Sequence, residues 1–343
     1  MTIATLDTHQ MLGVVSNIPV VTPFWLDLAF PMVQTFDTEW IDFDTVDESK
    51  RLAPFVAPNV NGKVMTAEGF STRRFKPAYV KPKDVVDPTR VIKRRAGEAL
   101  GSGSLSPDQR RNAVIADILR TQRDMILRRL DWMACRAIVD GSVTVSGESY
   151  PSQTIAFGRD ASQTITLAGA TLWTAGTSTP LKNLQTWYTQ TQRLSSTPVR
   201  NLIFGTAAWD AFVAHADVQD KLETRRGSDM KFETSIGMGL SEVAQYKGTL
   251  PGGPALWVYS DQYKDDSGTA TDMLDPTYVV GIGDPAGVRA FGGIMDARAG
   301  YRAMEMFPKM WIQEDPSAEM IMTQSAPLMI PTRPNATFRA KVA

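Results

Sequence analysis

The chain has 343 residues, a formal net charge of −1, and 43% hydrophobic against 21% charged residues. This balance excludes an intrinsically disordered chain and an overall basic nucleic-acid magnet, and no apolar run reaches the ~20 residues of a membrane helix. Its single cysteine, Cys135, excludes an internal disulfide and fits a reducing compartment, and the opening MTIATLDTHQMLGVV lacks the positive region of a secretory signal.

Length alone suggests two domains, or one large one with excursions. Residues 1–35 are short apolar pieces divided by Pro19, Pro23 and Pro31. Phe24, Trp25, Leu28 and Phe30 lie in a segment too short to bury them, so 1–35 reads as an arm that must pack on something else. Residues 36–95 alternate strand-like pieces with turns, and Asn61-Gly62 is a hairpin signal between extended segments. Pro77, Pro82 and Pro88 in the return exclude a central strand and favour a projecting ribbon that needs a partner surface.

The charge is unevenly placed. Residues 1–72 hold nine acidic and three basic residues; residues 73–129 hold fifteen basic and six acidic ones. Three readings are open: a nucleic-acid surface, a solvated charged surface, or an acidic arm lying on the basic segment of a neighbouring copy. The near-cancellation favours the third. It would set the acidic 37–48 segment (Asp37, Glu39, Asp42, Asp44, Asp47 and Glu48) against the lysines and arginines of 73–95 or 110–129 in adjacent subunits.

Gly97–Gly103 is a flexible joint, and 106–140 reads as one long helix. Ser106 is an N-cap, Pro107 suits the first helical position and Asp108 lies in the first turn. Ile115, Leu119, Met125, Ile126, Leu130, Met133 and Ala137 recur at three, four or seven residues and predict one apolar face, with arginines on the other side. Asp140-Gly141 ends the helix. Beyond it, 142–178 reads as short strands with glycine and serine turns. A helix opened by Pro180 spans 180–194, followed by the buried strand RNLIFG. Residues 206–223 read as one helix capped by Thr206, with Trp209, Phe212 and Val213 inward. ALWVYSDQY and TYVVGIGD are strands, and IMTQSAPLMI and ATFRAKV are strands expected to return to the long helix.

Chemistry-bearing motifs are few. Gly281-x-Gly283-x-x-Ala286 matches a loose dinucleotide fingerprint, but Pro285 and the following VRAFGG favour a strand turn over the phosphate-binding helix. His9, His215 and Cys135 are too few and too scattered for a zinc site. Arg225-Arg226-Gly227 follows a helix; the arginines either grip a carboxylate across an interface or face solvent. The expectation is no catalytic, metal or cofactor site and a building block rather than an enzyme. A basic-patch nucleic-acid binder is the alternative, and a nucleotide-binding enzyme resting on GIGDPA is a distant third.

Five stretches resemble the lambda-type major capsid proteins of tailed phages: AYVKPKDVVDP (78–88), KLETRRGSDMKFET (221–234), AQYKG (244–248), VYSDQY (258–263) and FPKMWIQEDPSAEMIMTQSAPLMI (307–330). They follow the family's order and span most of the chain from the ribbon onward, whereas the first 60 residues and 142–178 match poorly. The resemblance implies an α+β Hong-Kong-97-type capsid fold. Its parts would be an N-terminal arm (1–35), an extended β-ribbon loop (36–95), a peripheral domain (96–144) with spine helix 106–140, an axial α/β domain (145–305) and a return to the peripheral domain (306–343). It also implies hexamers and pentamers in an icosahedral head around double-stranded DNA, assembled in the host bacterial cytoplasm. A separate scaffold protein, a decoration protein and a portal would be partners, with no membrane and no cofactor. The expected subunit-interface residues are Asp42, Asp44, Asn61, Gly62, Lys81, Lys83, Arg120, Arg128, Arg225 and Arg226.

Overall fold

The long helix begins where its sequence says it should. Ser106 Oγ accepts the Gln109 N–H at 3.2 Å, and Gln109 Oε1 accepts the Ser106 N–H at 2.9 Å, a reciprocal capping box with Pro107 at the first helical position. The computed structural model describes residues 8–17, 23–46, 52–53, 55–56, 58–59, 61, 70–87, 106–147, 150–223, 231–232, 243–250, 253–265, 267–315 and 318–343.

The elements before the long helix are α1 (Thr8–Asn17), α2 (Phe24–Ala29), β1 (Met32–Phe36), β2 (Ile41–Val46), β3 (Phe70–Phe75) and β4 (Lys83–Val86). The long helix is α3 (Pro107–Val139), 33 residues or about 50 Å. After it come β5 (Ser142–Gly147), β6 (Tyr150–Ala156), β7 (Thr164–Thr166), α4 (Pro180–Ser195) and β8 (Asn201–Phe204). Next are α5 (Thr206–Ala214), α6 (Ala216–Glu223), β9 (Lys231–Phe232), β10 (Ala244–Thr249), β11 (Ala255–Tyr259), β12 (Gln262–Lys264) and β13 (Ala270–Asp272). The chain finishes with β14 (Tyr278–Ile282), β15 (Gly287–Gly292), β16 (Phe307–Gln313), β17 (Ala318–Gln324), β18 (Pro327–Pro331) and β19 (Thr337–Lys341).

Ile115, Leu119, Ile126, Leu130, Met133 and Ala137 of α3 are buried as the periodicity requires. Met125 is not; it is 57% exposed. It lies about 100° around the helix from Ile126, and the seam position between Leu119 and Ile126 belongs to Gln122, which is fully buried. The N-terminal half of the stripe packs with Met11 and Val15 of α1, Val86, Met310 and Ile321. The C-terminal half joins the main core with α2, β11, β15 and β18.

A seven-stranded sheet runs in the order β7-β19-β14-β8-β11-β10-β9. Alternation along β8 shows how it is sandwiched. Leu202 and Phe204 face a layer of Trp173, Leu184, Trp187 and Phe212, while Ile203 faces the main core. A second sheet, β16-β17-β4, lies on the N-terminal half of α3, and a third, β1-β15-β18, on its C-terminal half.

Three expectations need correction. Residues 206–223 form two helices, not one: the chain breaks at His215, whose φ −74° and ψ 131° are extended, and Thr206 supplies no side-chain cap because Gly205 holds that position. Residues 337–341 pair between β14 and β7 in the seven-stranded sheet and touch α3 from there, so the terminal segment does not return as a whole beside the long helix. Residues 83–86 leave the ribbon and become the edge of the β16-β17-β4 sheet, where Pro82 is tolerated; Pro88 lies outside the described residues.

Candidate assembly surfaces

The arm packs on its own chain. Phe24, Trp25, Leu26 and Phe30 are buried against Trp257, Tyr259 and the C-terminal half of α3. The N–H groups of Trp25 and Leu26 donate to Asp131 Oδ1 of α3 at 2.9 and 3.1 Å. Arg289 of β15 holds the far end of α2, donating to the Phe30 carbonyl at 2.7 Å and to Asp27 at 2.9 Å. β1 then runs parallel to β15 at the edge of its sheet, with Met32 and Val33 about half exposed. An apolar strand edge of this kind is a template for further pairing.

The ribbon is the antiparallel pair β2–β3. Arg74 donates to both carboxylate oxygens of Asp42, at 2.7 and 3.1 Å, and Lys76 pairs with Glu39. The Arg74 hydrogen bonds hold the Asp42 carboxyl below its usual range. Within the chain these acids meet bases of the 73–95 segment, because the antiparallel register sets 41–46 opposite 70–75. Asp44 lies opposite Thr72. Beneath the ribbon, Phe43 packs against Phe157, and a groove of about 510 Å³ opens between Arg73, Arg74 and Phe75 on one side and Gln153–Ala156 on the other. Asn61 is exposed, and Gly62 lies outside the described residues. Leu52 and Phe55 of the same loop are large apolar side chains, 92% and 106% exposed.

The β16-β17-β4 sheet covers α3 with one face and presents the other outward. Register places Val85, Met320 and Trp311 side by side on the outer face, and Lys83, Met322 and Lys309 in the next outward row. Lys83 Nζ and Lys309 Nζ lie 5.4 and 5.9 Å from the Trp311 ring centre, and Lys81 lies over the Tyr79 ring at 4.5 Å. The lysines expected to meet a neighbour's acids thus rim an apolar patch.

Of the helix arginines, Arg120 is exposed. Arg128 donates to the Gln262 carbonyl at 2.9 Å and lies 3.7 Å from Asp261, so it ties α3 to the β11–β12 turn of its own chain. Arg225 and Arg226 lie outside the described residues. Among the described residues, no helix is long and apolar enough to cross a membrane.

The glycine motif is a strand turn between β14 and β15, and close packing explains its glycines. A Cβ on Gly281 would stand 2.0 Å from the Phe338 ring, one on Gly283 2.9 Å from the Pro198 carbonyl, and one on Gly287 2.1 Å from the Ala29 carbonyl of the arm. The backbone approaches neighbouring chain there, not a phosphate.

Several anchoring residues were not singled out by the sequence. Gln122 Nε2 donates to Asp84 at 3.2 Å and to the Ile321 carbonyl at 3.0 Å, and Thr323 Oγ1 donates back to Gln122 Oε1 at 2.7 Å. Arg111 of α3 pairs with Glu319 of β17 at 2.8 Å. At the helix C-terminus Arg159 donates to the carbonyls of Ile138 and Val139, and Arg339 of β19 meets Asp140 at 2.5 Å. Burial pushes the Arg159 guanidinium down to about 10. The signal for Gln122 and Asp131 was present: each is a polar side chain within an apolar helical stripe, and a buried polar group needs a partner.

A long helix carrying three sheets, a docked arm, an edge strand and an apolar loop describe a subunit with surfaces left for its own kind. Comparison with known proteins gives the family. The chain belongs to the phage major capsid protein E family, whose model matches residues 7–342. It is 32% identical to the major capsid protein of Escherichia phage N15 over 344 residues, 98% of each chain. It is also 32% identical to that of Escherichia phage lambda over 329 residues, 94% of each. The putative capsid protein of a prophage of E. coli CFT073 superposes with a TM-score of 0.76 at 26% identity, covering 98% of this chain and 99% of that one. A phage-related protein of Bordetella bronchiseptica shares the fold alone, with a TM-score of 0.58 at 12% identity, 99% of this chain and 98% of that one. The chain is a tailed-phage structural capsid protein with a mixed α/β fold of the Hong-Kong-97-like kind, and its place is the viral capsid.

Proposed function

We propose that this chain is the major shell subunit of a tailed-phage head, assembling as hexamers and pentamers into an icosahedral shell that encloses double-stranded DNA, with no catalytic role. The observation that carries the reading is similarity at 32% identity to two phage major capsid proteins, one of them over 98% of both chains. In this reading residues 1–35 are the arm, 36–82 the extended loop, α3 the spine of a peripheral domain, and the seven-stranded sheet the core of an axial domain. The exposed Leu52 and Phe55 reach over a neighbouring subunit. A separate scaffold protein directs assembly in the host cytoplasm, a decoration protein and a portal complete the head, and DNA is enclosed without sequence-specific contacts. The nucleic-acid reading loses support from the ion pairs: Arg74, Lys76, Arg111 and Lys309 each meet a carboxylate within the chain.

Electron microscopy of the chain overproduced with its scaffold tests the proposal. Closed shells or rings of five and six subunits are expected. A monodisperse monomer that binds duplex DNA instead would overturn it.

A further inference from the structure

Asp131 sits on the buried stripe of α3 and is 5% exposed. Its Oδ1 receives the N–H groups of Trp25 and Leu26, the first turn of α2. No lysine or arginine pairs with it among the described residues. The ionisable groups around it come from every element packed there. α2 contributes Asp27, which is bound to Arg289 of β15. α3 contributes the Cys135 thiol, one turn on. β11 contributes the Tyr259 phenol, and the following turn contributes Asp261, which lies 3.7 Å from Arg128. Trp25 Nε1 and Tyr259 Oη are buried beside each other there. A carboxylate in such a place loses its water and meets two like charges, both of which favour the neutral acid; two backbone donors favour the anion.

We propose that Asp131 is a protonation-gated latch for the N-terminal arm: as the neutral acid it holds α2 in its pocket on the long helix, and as the anion it lets α2 undock more readily. The neutral acid keeps an oxygen that can accept from the two N–H groups and avoids the buried charge. Undocking exposes the group to water and relieves the charge. Burial, the largest cause, pushes the docked group up from its ordinary 3.8 to about 7, so the docked arm takes up a proton that the undocked arm releases. The strengthening of docking is therefore full below 3.8, falls as pH rises between the two values and is lost above about 7. Linkage between the two gives a docking constant roughly thirty-fold larger at about pH 5.5 than at about pH 8.5. The latch concerns the single chain and does not rest on how subunits meet in a shell.

Hydrogen–deuterium exchange on the unassembled full-length subunit tests it, reading the peptide over 24–30 against β14 as an internal reference and correcting each pH for the intrinsic exchange rate. In the native chain, protection of α2 relative to β14 should fall about thirty-fold from about pH 5.5 to about pH 8.5. Asp131→Asn keeps an acceptor oxygen without the charge, so its protection should stay high and flat. Asp131→Ala removes the acceptor and should leave α2 poorly protected throughout. Should the alanine variant fail to fold, the native and asparagine profiles decide by themselves. A native profile that is flat or rises with pH overturns the latch, as does an Asp131→Asn profile that follows the native one.

Discussion

Gln122 is the test of how the long helix holds its N-terminal sheet. The side chain is fully buried, gives two hydrogen bonds to β4 and β17, and receives one from Thr323, itself 1% exposed. Gln122→Leu conserves much of the volume and removes all three bonds. Asp84 is only half-buried and can turn to water, but the Thr323 hydroxyl is stranded. A stranded buried polar group costs about 1–3 kcal/mol. With an m-value of about 3 kcal/mol/M, a 2 kcal/mol loss would lower the urea midpoint by roughly 0.7 M. Thr323→Val alone removes one bond and leaves Gln122 its two donors, a loss of about 1 kcal/mol. In the double variant no hydroxyl is stranded, so its loss should fall short of the sum by about 1–2 kcal/mol. The assay is urea denaturation of the unassembled subunit followed by circular dichroism, on all four proteins of the cycle. Additive losses, or a Gln122→Leu variant as stable as the native chain, would refute the reasoning.

Three further outcomes are expected. Leu119→Ala, Ile126→Ala and Met133→Ala each remove a buried side chain and should lose about 2–5 kcal/mol, whereas the exposed Arg120→Ala should stay within about 0.5 kcal/mol; denaturation midpoints measured beside particle yield separate the two classes, and equal midpoints would sink the face assignment. Gly287→Ala sets a methyl group against the Ala29 carbonyl and the Phe30 ring, so exchange protection over 24–30 should drop while β14 is unchanged; retained protection would mean that the arm does not depend on that close approach. Because Asp42 and Arg74 pair within one ribbon, Asp42→Arg should reduce particle yield without changing subunit folding, and adding Arg74→Asp should restore it; a double variant no better than the single one would point to a partner outside the ribbon.

The helix α3 was written locally, because a capping box, a proline at the first position and a seven-residue apolar recurrence act over a few turns of one segment. Strands such as 201–204 and 278–282 were legible for the same reason, and the long matching runs at 221–234 and 307–330 carried the family resemblance. Tertiary structure decided the partners. Periodicity says that a face must be covered and leaves open what covers it, so the arm could be expected to need a surface but not that Asp131, 106 residues from Trp25, would hold it. Blocks of opposite charge specify sign, not address: Asp42 and Arg74 are 32 residues apart and meet because β2 and β3 are antiparallel in one chain. The same holds for Gln122, whose place in the stripe marked it as polar and buried, while its partners came from β4, 38 residues before it, and β17, some 200 residues after it. The entry of β19 into the seven-stranded sheet also depends on contacts distant in sequence. Local rules set which segments become elements; only the packed chain, where each buried polar group must find a partner, set which elements meet.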